Sequence, residues 1–270
     1  MTVARSALAL AASLLASAHA FAQDSKPASD DAADLAKKLQ NPVAALISVP
    51  LQSNLDFGGG PNGDGSQYKL NIQPVIPVGL GKDWNVISRS ILPILYQNKL
   101  IDTGGQGGLG DLTQSFFFSP KEPTGGWIWG VGPVFLIPTA TDDLLGLRKW
   151  GAGPTAVLLR QEHGWTYGIL ANHIWSFAGD SARQNVSATF LQPFAGYTTG
   201  AQTTFTLNSE TTYDWENSQW TIPLNLMVAQ LVKLQDLPLQ FQAGARYYAA
   251  KPSTGPDWGL RLNVVFLFPA

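Results

Sequence analysis

The chain has no cysteine, which excludes disulfides, thiolate metal sites and a thiol nucleophile. It has little charge: Asp, Glu, Lys and Arg make up 13% of 270 residues, about half the usual share of a soluble domain. The charges nearly balance, 17 basic against 19 acidic, which gives no reason to expect nucleic-acid binding. Past the N-terminal region there is no run of roughly 20 apolar residues, the length a transmembrane helix needs. Glycine (27), phenylalanine (13) and tryptophan (9) are plentiful. Few charges and many aromatics suit an outside that faces hydrocarbon. A membrane protein without spanning helices has to be a closed barrel, which alone satisfies every backbone group in lipid. A secreted soluble β-protein is the competing class.

The N-terminus reads as a secretory signal peptide over residues 1–22. Arg5 supplies the positive start, residues 7–18 an apolar stretch too short to span as a helix, and Ala18-His19-Ala20 and Ala20-Phe21-Ala22 two small-x-small cleavage sites. No lipobox cysteine is present to carry a lipid anchor. Residues 23–42 form a short periplasmic segment. Within it residues 30–40 favour a short helix, with Lys37 and Lys38 at the end that the helix dipole favours for cations and Asn41-Pro42 as its stop.

From Val43 to Ala270 the chain alternates strand-like segments with turn residues. Twelve are expected, at about 43–55, 67–79, 84–97, 109–119, 126–138, 150–161, 165–177, 186–198, 202–213, 219–232, 237–250 and 257–268. Most reach the 9–11 residues of a tilted transmembrane strand. In the ninth, Thr204, Thr206, Asn208, Glu210 and Thr212 share one face. In the twelfth, Leu260, Leu262, Val264, Phe266 and Phe268 oppose Arg261 and Asn263. This is the apolar-out, polar-in dyad of a membrane barrel. The fifth strand departs from it, being apolar on both faces. The odd-numbered connections are mostly long and the even-numbered ones mostly short, the order of a bacterial outer-membrane barrel with external loops and periplasmic turns. All nine tryptophans fall near strand ends, where an interface would hold them. Prolines 50, 74, 77, 93, 133, 154, 193 and 223 lie inside expected strands and imply bulges or shortened pairing.

Chemical motifs are scarce. Gly58, Gly60, Gly63 and Gly105, Gly107, Gly110 match the spacing of a dinucleotide fingerprint, but strands follow where a helix is required. Asn62, Asp64 and Ser66 lack the glycine and distal glutamate of a calcium loop. His173 alternates with Ala171 and Trp175 and points outward, with no serine nucleophile assignable to it. Neither an enzyme nor a cofactor is expected.

Several blocks carry a resemblance: Asn71-Ile72-Gln73-Pro74-Val75-Ile76-Pro77, Phe116-Phe117-Phe118-Ser119-Pro120, Trp129-Gly130-Val131-Gly132-Pro133, Lys149-Trp150-Gly151-Ala152-Gly153-Pro154 and Gly255-Pro256-Asp257-Trp258. Together they resemble a proteobacterial family labelled "neuromedin U" or "transporter", similar to the outer-membrane channels of the phenol-degradation MetA-pathway group. The resemblance implies passive transport of small solutes, hydrophobic or aromatic ones included, across the outer membrane of a Gram-negative bacterium.

The expectation is an all-β protein: a transmembrane antiparallel up-and-down barrel of about twelve strands. Its partners would be membrane lipid, a small-molecule solute and, during biogenesis, periplasmic chaperones and the barrel-assembly machinery. Strand parity turns Lys69, Arg89, Glu210, Arg246 and Arg261 into the lumen, avoiding the roughly 2–4 kcal/mol that a cation facing mid-depth lipid costs. Such a lumen would favour anions or polarised neutral solutes. The alternatives are a structural or adhesive barrel with a plugged lumen and, behind it, a barrel enzyme.

Overall fold

The computed structural model describes residues 30–101, 104–234 and 237–268. The signal-peptide region, the first part of the lead-in and the last two residues lie outside the described residues.

Among the described residues, one helix, α1 (Asp30–Leu39), precedes fifteen strand segments. They are β1 (Ile47–Gly59), β2 (Gly65–Ile72), β3 (Val75–Leu80), β4 (Trp84–Asn98), β5 (Gly105–Leu109), β6 (Leu112–Pro120), β7 (Trp127–Ile137) and β8 (Lys149–Glu162). Then come β9 (Trp165–Gly179), β10 (Ser187–Thr198), β11 (Thr203–Ser209), β12 (Thr211–Asp214), β13 (Gln219–Leu234), β14 (Leu237–Ala250) and β15 (Trp258–Phe268). In three places two segments run in line: β2 with β3 between β1 and β4, β11 with β12 between β10 and β13, and β5 with β6 along β4. The fifteen are therefore twelve strands.

Each strand pairs antiparallel with the next, and β15 returns to β1 from Ile47↔Phe268 to Phe57↔Trp258. The result is a closed up-and-down barrel with almost no helix. Closure leaves no unpaired edge.

Proline and the interruptions go together. Pro74 separates β2 from β3, and its carbonyl takes the Ser90 N–H at 3.1 Å. Pro223, which has no N–H to give the ladder, stands opposite the break at Glu210, whose N–H reaches the Pro223 carbonyl at 3.3 Å. A register shift follows between Ile222 and Pro223 on the β14 side.

The two faces divide as a membrane barrel requires. Along β13, Leu226 is 62% exposed while Asn225 and Met227 beside it are 0% and 3% exposed. Phe205, Leu207, Phe241, Leu260 and Leu262 also stand exposed on the outside. Aromatics ring both ends. Trp84 meets Trp129 edge-on, with centroids 5.7 Å apart, near the short turns. Tyr213 packs on Trp220 at 4.6 Å, and Phe57 on Trp258 at 4.9 Å, near the long loops.

The inner face is not uniformly polar. Toward the short-turn end, Ile87, Phe117, Val157, Leu159 and Leu170 point inward and pack with Val43 in one buried cluster. The chain after α1 therefore enters the barrel mouth. Strand pairing begins at Ile47, not at Val43. The Asn41 side chain accepts the Val43 N–H at 3.0 Å, a turn that aims Val43 into the lumen. The double apolar face of β7 has the same cause: Gly130 on its inner side is the seat of Val43, whose Cγ1 would stand 3.3 Å from a Cβ placed there.

Candidate functional site in the barrel interior

At mid-barrel, inward positions from neighbouring strands line up in rows because directly paired residues share a face. One row runs Gln97, Gln67, Asp56, Gly259, Arg246, Asn225, Asn208 from β4 round to β11. The next, one pleat toward the short turns, runs Lys69, Asn54, Arg261, Gly244, Met227. Each arginine has a glycine at its side, Gly259 by Arg246 and Gly244 by Arg261. A Cβ on Gly259 would collide with the Asp56 carboxylate. The glycines leave room for the charged heads.

Glu210 is the centre of this network. Arg261 donates to both of its oxygens, at 2.7 and 2.8 Å, and Arg246 to one of them at 2.7 Å. Each guanidinium is steadied from behind: Arg261 Nε donates to Asn54 Oδ1 at 2.8 Å, and Arg246 Nε to Asn225 Oδ1 at 2.7 Å. Asn225 in turn donates to Asn208 at 2.8 Å. Arg246 also lies 3.6 Å from Asp56 and 3.2 Å from the Tyr248 hydroxyl. Bidentate, charge-assisted bonds of this kind fix geometry as well as supplying energy. The Glu210 position follows from the proline break, which frees its backbone from regular pairing.

Arg246 and Arg261 are thus drawn together on Glu210. Lys69 faces the same interior, paired with Asn54, but does not join these bonds. Arg89, on β4, donates to the Gln73 amide oxygen at 3.1 Å and makes no ion pair among the described residues. Asp56 is absent from the sequence-derived set because the first strand was expected to stop at residue 55. Pairing runs on to Gly59 and carries Asp56 into the row. The interior charges named here are therefore four positive and two negative.

Two cavities flank the network. The larger, about 500 Å³, lies on the short-turn side. Its wall mixes Arg89, Glu210 and Arg261 with Ile174, Phe190 and Leu170, and residues 38–42, 44 and 46 form part of it. The smaller, about 200 Å³, lies on the long-loop side, bounded by Asp56, Gln67, Gln97 and loop residues that include Leu100 and Pro256. The N-terminal segment is held by two polar contacts besides Val43: Gln161 donates to the Lys37 carbonyl at 2.8 Å, and Thr206 to Gln40 at 3.5 Å.

The long loops are tied to one another. Arg183 donates to the carbonyls of Asp143 at 2.5 Å and Gly146 at 2.6 Å, and Arg148 pairs with Asp143 and, at 3.5 Å, with Asp180. The bond from the Ala182 N–H, followed by Arg148, holds the Asp180 carboxyl below the ordinary carboxylate range. Lys99 reaches across to Asp64 at 2.6 Å and lowers that carboxyl in the same way.

His173 is on the outside, stacked on Trp175 with centroids 4.0 Å apart, and its Nδ1 is 2.7 Å from Thr189 Oγ1. These two contacts fix the ring, and its Nε2 has no hydrogen-bond partner among the described residues. Among the described residues no group of three His, Cys, Asp or Glu is placed to hold a metal.

No protein-family model and no curated protein matches the chain. Solved structures do. An outer membrane channel from Pseudomonas putida F1 superposes with a TM-score of 0.66, over 83% of this chain and 96% of its own, at 15% identity. The NanC porin superposes at 0.52, over 82% of this chain and 100% of its own, at 9% identity. The chain has the fold of an outer-membrane channel barrel. Outer membrane phospholipase A from Escherichia coli is a more distant likeness, with a TM-score of 0.47 over 83% of this chain and 90% of its own, at 11% identity.

Proposed function

We propose that the protein is a passive channel of the Gram-negative outer membrane for small solutes, with a lumen that prefers anions or polarised neutral molecules to cations. The observation that carries this reading is the interior network. Two arginines share one glutamate at mid-barrel, between two cavities, with Arg89 and Lys69 on the same interior and Asp56 as the one other acid named here. Fixed charges at such a narrowing set ion selectivity in pores. The exposed apolar outside contacts lipid, and chaperones and the barrel-assembly machinery deliver the chain to it. Catalysis forms no part of this reading. The sequence blocks resembling the "neuromedin U"-labelled transporter family are consistent with the same role.

One observation favours the alternative of a plugged structural or adhesive barrel. Val43 is buried in the lumen's apolar cluster, so the N-terminal segment narrows the mouth. Solute-uptake measurements separate the two. Liposomes holding the purified barrel should swell in small uncharged and anionic solutes under the channel reading. Absence of swelling, both in the full chain and in one lacking residues 30–46, would contradict it.

A further inference from the structure

We propose that the larger internal cavity is a binding site for a small amphipathic carboxylate, with its anionic end on Arg89 and its apolar body against the wall formed by Leu170, Ile174 and Phe190. The proposal rests on the channel reading only for its physiological sense. The site itself stands on the geometry.

Three features converge. First, Arg89 differs from the other two interior arginines. Arg246 and Arg261 spend their guanidinium N–H groups on Glu210. Arg89 lines the cavity with one neutral amide oxygen, that of Gln73, as its side-chain partner among the described residues. A guanidinium has five N–H donors in a planar fork that fits a carboxylate bidentately. Gln73 uses part of that fork and leaves the rest for an anion.

Second, the cavity wall keeps polar atoms unspent. Gln240 is 4% exposed and its amide nitrogen has no acceptor, and the Asn263 amide oxygen has no donor. Both side chains line the cavity. Buried polar groups are ordinarily satisfied, so unpartnered ones lining a cavity mark places for a polar guest.

Third, the lining offers both polarities at once. Leu170, Ile174 and Phe190 on β9 and β10, interleaved with Asn172 and Gln192, supply apolar surface, whereas Arg89 comes from β4 and Arg261 from β15. An inorganic ion would leave the apolar wall uncovered, and a hydrocarbon would leave Arg89 unpaired. At about 500 Å³ the space falls in the range of small-molecule pockets, which are apolar with a few placed polar groups. A molecule of several carbons ending in a carboxylate satisfies both sides.

The test uses three probes on the purified full chain in detergent micelles, by calorimetric titration with the heat of micelles alone subtracted. Hexanoate carries both the charge and the body, acetate the charge alone, and hexanol the body alone. Hexanoate should bind at least about tenfold more tightly than either of the others, the scale of one charge-assisted bond or two buried methylenes. Arg89→Gln should remove that advantage, and Arg89→Lys should keep part of it because a point charge remains. Both variants should retain the gel mobility shift between heated and unheated samples that reports an intact barrel. Acetate binding as well as hexanoate would discard the apolar wall, and hexanol binding as well would discard Arg89. An unchanged hexanoate affinity in folded Arg89→Gln, or no binding of any probe, would overturn the proposal. Binding without conductance would count against the channel reading alone, and conductance without hexanoate binding against this site alone.

Discussion

Glu210 and Arg261 meet side-on, each guanidinium Nη on its own carboxylate oxygen, at 2.7 and 2.8 Å. Because Arg246 shares one of those oxygens at 2.7 Å, a single carboxylate holds two cations on strands that are not its neighbours. Replacing it by Gln leaves two buried guanidinium groups short of their counter-charge. Breaking a buried pair from one side costs about 3–5 kcal/mol. Glu210→Gln should therefore unfold at lower denaturant by an amount near the bottom of that range, since Asn54, Asn225 and Asp56 keep their bonds to the arginines. Urea titration in lipid vesicles measures it, and wild-type stability in this variant would show that the network bears no load.

The N-terminal segment should be a removable restriction. Strand pairing starts at Ile47, so deleting residues 30–46 costs no ladder bond, and the barrel should still form and conduct more than the full chain. The opposite manipulation uses the absence of native cysteine. Val43→Cys with Gly130→Cys brings two thiols to disulfide range, since a Cβ at Gly130 stands 3.3 Å from Val43 Cγ1. Oxidation should lower conductance and reduction restore it. Equal conductance in all three forms would mean that the segment does not restrict the path.

Topology gives a separate prediction. Tags at Gly63 and Gly104, in long loops where an added side chain meets nothing within 4 Å, should be accessible on intact cells. A tag at Lys82, in the short turn between β3 and β4, should be reached only after the outer membrane is breached. The reverse pattern would invert the barrel.

The twelve strands were legible because two independent signals agree: the dyad alternation of strands such as residues 203–214 and 258–268, and the alternation of connection length. The interior was legible only as a set of polar positions. Parity turned Glu210, Arg246 and Arg261 to one side but could not show that one acid gathers both arginines, because that depends on register across β1, β11 and β13–β15. Asp56 was missed because Gly58 and Gly59 look like the start of a loop. Val43 is indistinguishable from a strand residue in the sequence, because an apolar residue pointing into a lumen and one pointing out at lipid look alike there. The apolar inner face of β7 is visible in the sequence as an anomaly, and its explanation, Val43 against Gly130, lies far upstream in the chain.

A pH effect is expected at the loop tie between Asp64 and Lys99. Lys99 holds the Asp64 carboxyl below its ordinary value, so the tie between these loops is fully present above the unfolded carboxylate pKa of about 3.9 and is lost as pH falls through the lower folded value. Protease cleavage at the loop of residues 60–64 should stay constant from about pH 7 to pH 5 and rise only below about pH 4. A rise already at pH 6 would point to a different group.

The most direct test of the central claim is the reversal potential of the purified protein in planar bilayers under a salt gradient. The account predicts discrete conductance with anion preference, and a shift toward cations in Arg246→Glu and Arg261→Glu variants that still form barrels. Cation selectivity in the native protein, or anion selectivity unchanged in both variants, would contradict it, as would no conductance at all even after residues 30–46 are removed.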